Sequence, residues 1–139
     1  MNVRSLRPMR LLLVGDVGDG YAEELAAAAD PIQIDVTTVA ADDDVHVAAR
    51  RAHADAVVFD AGAEPRSVAV AASAFAGRHP RTIVAMVATG VDDRNDGAVL
   101  VSHRWRAPEL LLDRLTQMYL AASRSRLVAD EAFSRMNVR

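Results

Sequence analysis

The chain has 139 residues, a formal net charge of −3 and an apolar fraction of 51%, which fits one globular domain and argues against disorder. It holds no cysteine and no lysine; all 16 basic residues are arginine. Those absences exclude disulfides, zinc–thiolate sites, thiol nucleophiles, a P-loop lysine and Schiff-base chemistry.

Alanine occupies 27 positions and aromatic residues only 6, so the core must be built mainly of Val, Leu and Ala. No run reaches the roughly 18 apolar residues of a membrane helix. The run Leu11–Val14 behind Arg4, Arg7 and Arg10 is too short for a signal-peptide core. A cytoplasmic location is therefore expected. Charge is unevenly placed: residues 1–10 carry +3, residues 11–103 carry −9 and residues 104–139 carry +3. An acidic body with basic ends does not suggest a nucleic-acid groove, which favours a basic face with aromatics.

Arg10–Gly15 (RLLLVG) reads as a buried strand ended by glycine. Tyr21–Ala29 reads as a helix stopped by Asp30-Pro31. Ile32–Val39 alternates apolar and polar residues, so it predicts a strand with one better-buried face. Asp42-Asp43-Asp44 supplies an N-cap for a helix running to about His53. Ala56–Phe59 predicts a buried strand ending at Asp60. Pro65 opens a helix whose inward positions are Val68, Ala72, Phe75 and Ala76, closed by Gly77 and Pro80. Thr82–Ala88 and Ala98–Ser102 complete five strands, and a long helical pattern starts at Ala107. Continuous apolar strands alternating with helices predict an α/β fold: a flavodoxin-like, doubly wound, five-stranded parallel sheet.

Such sheets bind ligands beyond the carboxyl ends of their strands. Asp16, Asp60 and His103 follow three strand ends and should converge there. Two carboxylates and an imidazole are suited to a divalent cation or a phosphoryl group.

Over residues 9–120 the sequence resembles the receiver domains of two-component response regulators. LLLVGD (11–16) is similar to the family's first strand and acidic pair, and ADAVVFD (54–60) to its third strand, which ends in the phosphoacceptor aspartate. HPRTIVAMVAT (79–89) is similar to the fourth strand with its switch hydroxyl. VSHRWRAPELLLDRL (101–115) is similar to the fifth strand and the start of the last helix. The resemblance implies Asp60 at the phosphoacceptor position and Mg²⁺ held by Asp16 and Asp60. It also implies a phosphoryl group donated by a histidine kinase.

The departures carry more information than the matches. Gly15-Asp16 replaces the acidic pair. Ala88 takes the switch position unless a one-residue slip brings in Thr89. His103-Arg104 replaces the Lys-Pro pair, and a regular strand would turn Arg104 to the side opposite His103. The proline that follows the aspartate falls at Pro65, one place late. Gly90–Gly97 is too short and turn-like for a full fourth helix. An aspartyl phosphate needs cationic groups around both the carboxylate and the phosphoryl oxygens; in this pocket, of Gly15, Ala88, Thr89, His103 and Arg104 around Asp60, the lost carboxylate weakens Mg²⁺ binding and the family's lysine is absent.

Competing readings are simpler. Asp16 serves equally as an N-cap. The loop Gly15–Gly20 has glycines in the wrong order for a dinucleotide turn, and its two aspartates repel phosphate. His46 and His53, with Arg50 between them, read as a solvated helix face rather than a metal pair. Ser73, Ser102 and His103 lack a nucleophile-elbow motif.

The sequence reading is thus an atypical receiver-like module, not an enzyme. It comprises a tail (1–9), a receiver-like domain (10–122) with a shortened fourth helix, and a helical extension (123–139). It is expected to need no cofactor, Mg²⁺ being at most weakly bound. It would act on a protein partner, an output domain or a second copy, through the face around Trp105, Arg106, Leu112 and Tyr119. Nucleic acid and membrane are not expected partners. The alternatives are a phosphorelay receiver using Asp60 with Mg²⁺ and, more remotely, a small nucleotide-binding enzyme at Gly15–Gly20.

Overall fold

In the computed structural model, residues 8–15, 20–62 and 64–137 are described. Among these residues six strands form one sheet: β1 (Arg10–Val14), β2 (Asp35–Val39), β3 (Ala56–Gly62), β4 (Ile83–Ala88), β5 (Arg94–Asp96) and β6 (Val99–His103). Four α-helices accompany them: α1 (Tyr21–Ala29), α2 (Val45–Ala52), α3 (Pro65–Arg78) and α4 (Pro108–Asn137). The spatial order is β2-β1-β3-β4-β6-β5. All pairings are parallel except β5 with β6. The architecture is α/β with a mostly parallel sheet, compatible with a Rossmann or flavodoxin-like fold.

The expected five strands become six, and the shortened fourth helix is corrected to strand β5. Its residues Arg94, Asn95 and Asp96 are all exposed, so no hydrophobic alternation announces them. Gly97, at φ +61°, begins the two-residue turn into β6, a geometry that glycine adopts without a Cβ penalty. The short, charged strand leaves little open edge for another chain to pair with.

Each face of the sheet carries one apolar layer. Tyr21, Leu25 and Ala29 of α1 and Leu111, Leu112, Leu115 and Tyr119 of α4 pack over Leu11, Leu13, Val58, Val87 and Leu100. Ala49 of α2 and Ala72, Phe75 and Ala76 of α3 cover Leu12, Val57, Phe59, Val84, Val99 and Val101. Odd and even strand positions divide between the two layers, as the two-residue period of a strand requires.

Several local expectations hold in detail. Asp44 caps α2, its Oδ1 accepting from the Val47 amide at 3.2 Å. Pro65 stands in the first turn of α3. The second strand starts later than expected, because Asp30–Ile32 forms one 3₁₀ turn before it and leaves Ile32 exposed. Met9, assigned to the tail, is buried in the core and its carbonyl accepts from the Asp35 amide. Among the described residues no helix is long and apolar enough to cross a membrane.

Candidate functional site

The direction of the sheet order reverses between β1 and β3, and Asp60 stands near the carboxyl end of β3. Val57, Phe59 and Ala61 face the α2–α3 layer, whereas Ala56 and Val58 face α1 and α4. Asp60 shares the second face by alternation. In register, Asp60 pairs with Val87 and Val87 with Ser102, so Ser102 lies in the same cross-strand row. Two residues later on that side comes Arg104.

Arg104 grips Asp60 with two parallel hydrogen bonds. Its Nε donates to Oδ1 at 2.7 Å and its Nη2 to Oδ2 at 3.0 Å. The two side chains are only 2% and 3% exposed. The Gly62 amide donates a further bond to Oδ1 at 3.2 Å, across a bulge in β3. Bidentate, charge-assisted pairing of this kind is among the stronger polar contacts. Burial raises its importance, because removing one partner strands the other charge in a poorly solvated place, at a cost of about 3–5 kcal/mol.

Arg104 was expected on the side opposite His103, and so it is, but the pocket lies on the arginine's side. His103 points away from Asp60 and is tied up locally. Its amide donates to Asp93 Oδ1 at 2.8 Å, and its Nδ1 accepts from the Trp105 amide at 3.1 Å. The other oxygen of Asp93 meets Arg106 Nε at 2.8 Å. Asp93 therefore fastens the segment before β5 to the β6–α4 loop.

Two further described residues border the pocket. The Arg104 guanidinium lies 4.8 Å from the ring centroid of Tyr21, the first residue of α1, within cation–π range. Burial, with a smaller contribution from the Asp60 carboxylate, pushes the Tyr21 phenol up to about 12. Gly15 packs against Asp60 at φ +124°, where an added Cβ would stand 2.9 Å from the Asp60 carbonyl oxygen. The chain is too tight there for any side chain.

Of the other residues expected at this pocket, Ala88 ends β4 fully buried, beside Gly62 and His103 in register. Its carbonyl accepts the Arg104 amide at 2.9 Å. Thr89 is exposed in the following turn, and its amide donates to the Gly62 carbonyl at 2.8 Å. Asp16 and most of the Gly15–Gly20 loop lie outside the described residues. Among the described residues the donors do not fit Mg²⁺: the pocket offers one carboxylate, and both its oxygens are engaged by Arg104. No described cluster of three or more His, Cys, Asp or Glu side chains is suited to a metal ion.

The surface expected to bind a partner divides in two. Trp105 is 68% exposed and Arg106 is also exposed. Leu112 and Tyr119, placed on that surface from sequence, are buried in the α1–α4 layer. The correction follows from helix phase: Leu111, Leu112, Leu115 and Tyr119 form the inward stripe, and Met118 stands partly outside it.

Sequence reading missed Tyr21 and Asp93 altogether. Tyr21 had a usable signal, since Tyr21, Leu25 and Ala29 recur at helical spacing. His46 does not pair with His53 but with His79, their ring nitrogens 2.8 Å apart. Both rings stack on Phe75. Ser73 is exposed on α3, whereas Ser102 is buried within the sheet, so the hydrolytic grouping does not assemble.

No family model and no curated protein matches the chain.

Proposed function

We propose that the chain is a flavodoxin-like, receiver-like regulatory module that works through protein–protein contact and not through conventional phosphorylation. The observation that carries this reading is the buried, bidentate hold of Arg104 on Asp60. A carboxylate attacking a phosphodonor needs a free oxygen and a cation beside it. Here the guanidinium supplies the positive charge and takes both oxygens. The pocket thus carries a permanent internal counter-charge where a switchable one would be needed.

The same arginine supports a route outward. Trp105 follows it in sequence, its ring centroid 5.6 Å from the guanidinium, and its indole is largely in solvent. Exposed Trp beside Arg is the composition enriched at binding hot spots. In this reading the fixed pair sets the β6–α4 corner in one conformation, which a protein partner recognises. No catalytic step is assigned to it, and a cytoplasmic setting is part of the proposal.

Trp105 is the only tryptophan, so its fluorescence reports on the corner directly. Titration with Mg²⁺ and then with acetyl phosphate is expected to leave the emission unchanged. A saturable change that Asp60→Asn abolishes would return the assignment to a phosphorelay receiver.

A further inference from the structure

The C-terminal half of α4 outruns the domain. Among the residues of the helix whose burial is described, Ser123 is the last buried one, and every residue from Arg124 to Ala132 is exposed. At 30 residues the helix is about 45 Å long. A helical segment as short as the one beyond Ser123 is marginal in water by itself. It also carries apolar side chains into solvent, Leu127 at 43% and Val128 at 66% exposed.

A second stripe runs along α4, away from the sheet: Leu110, Asp113, Gln117, Leu120, Arg124 and Leu127. All are exposed except the half-buried Leu120. Their spacings alternate between three and four, the seam that pairs one helix with another. Two of the three pairs along this stripe are complementary on reversal: Leu110 answers Leu127 and Asp113 answers Arg124, while Gln117 falls opposite Leu120 next to the axis.

We propose that two copies of this chain associate through α4 in antiparallel fashion, about a two-fold axis level with Met118 and Tyr119. An isologous contact pairs each residue with its counterpart across the axis, and the outer two pairs of the stripe, Leu110 with Leu127 and Asp113 with Arg124, are complementary there. Each Asp113 faces the partner's Arg124, and each Leu110 packs on the partner's Leu127. A parallel pairing would set Asp113 against Asp113 and Arg124 against Arg124, so charge selects the antiparallel form. The extension past Ser123 then lies along the first half of the partner's α4 and is covered. This deepens the interaction-module reading, on which it rests, by naming one partner as a second copy.

The absence of cysteine gives a clean test on the full chain. Sedimentation velocity should show a reversible dimer. Asp113→Arg should raise its dissociation constant by about tenfold or more, which is 1.4 kcal/mol or more. The charge-swapped double variant, Asp113→Arg with Arg124→Asp, should restore dimerisation. A chain carrying Leu110→Cys and Leu127→Cys should form a disulfide-linked dimer under oxidation, whereas each single variant should not. A monomer at all concentrations, a dimer indifferent to Asp113→Arg, or cross-linking by either single variant would overturn the proposal. These outcomes are separable from the wider reading. A monomer in which Trp105 emission still ignores acetyl phosphate would discard the α4 pairing and leave the phosphorylation-independent module standing.

Discussion

Gly15 and Asp60 are packed so closely that a Cβ on the glycine would stand 2.9 Å from the aspartate's carbonyl oxygen and 3.3 Å from its Cβ. The obstacle on one side is backbone, which cannot swing aside. The position at φ +124° is strained for any L side chain as well. Building an acidic pair there with Gly15→Asp is therefore expected to destabilise the fold by about 2–4 kcal/mol, from backbone strain and overpacking together. Urea unfolding of the variant checks this. A variant as stable as the parent would show that β1 and β3 separate easily there.

The Asp60–Arg104 pair should behave as a unit. Arg104→Ala is expected to cost about 3–5 kcal/mol, since it leaves a buried carboxylate unpaired. Replacing both members, Asp60→Leu with Arg104→Met, should cost far less than the sum of the single changes, because no charge is then left alone. A double-mutant cycle by chemical denaturation measures the difference.

Tyr21 provides a spectroscopic check on burial. Its phenol is held up to about 12 against an ordinary value of 10.0. The folded state binds the proton more tightly than the unfolded chain. Stability from this group is therefore complete below pH 10 and is lost as pH rises towards about 12, an effect of roughly 2–3 kcal/mol. An ultraviolet titration should show a tyrosine still protonated at pH 11. Ionisation at the ordinary value would place Tyr21 in solvent.

His79 gives the acid side. Partial burial, then electrostatic repulsion from His46, Arg50 and Arg78, hold its imidazole below the usual 6.5. A group with a lowered folded value takes up its proton first in the unfolded chain. Stability is thus expected to fall as pH drops below about 6.5. Proton NMR should find the His79 midpoint below that value, and His46→Gln should move it upward. A midpoint at or above 6.5 would contradict the stacked arrangement.

The parts of the fold that follow from hydrophobic period were legible in the sequence. RLLLVG and TIVAMVA read as strands because they are continuously apolar, and Asp44 and Pro65 marked helix starts through cap and first-turn chemistry. Strand β5 was hidden because Arg94-Asn95-Asp96 has no apolar face; its pairing with β6 decides its conformation. The phase of α4 was not legible in the same way: Leu112 and Tyr119, expected on the partner-binding face, are buried against the sheet.

The site was half legible. Asp60, Gly15 and the missing lysine stood out from the sequence, and strand alternation correctly set His103 and Arg104 on opposite sides. Which side held Asp60 depends on the register of β3 with β4 and of β4 with β6, and no local pattern encodes that. The contact of Arg104 with Tyr21 depends further on the packing of α1 against the sheet.

Intact mass shows whether Arg104 denies Asp60 to a phosphodonor, as proposed. Wild type, Asp60→Asn and Arg104→Lys chains would each be incubated with Mg²⁺ and acetyl phosphate and weighed without delay. Wild type is expected to carry no adduct. A phosphoryl adduct on wild type that Asp60→Asn removes would contradict it, because Asp60 would then be free to react despite the arginine.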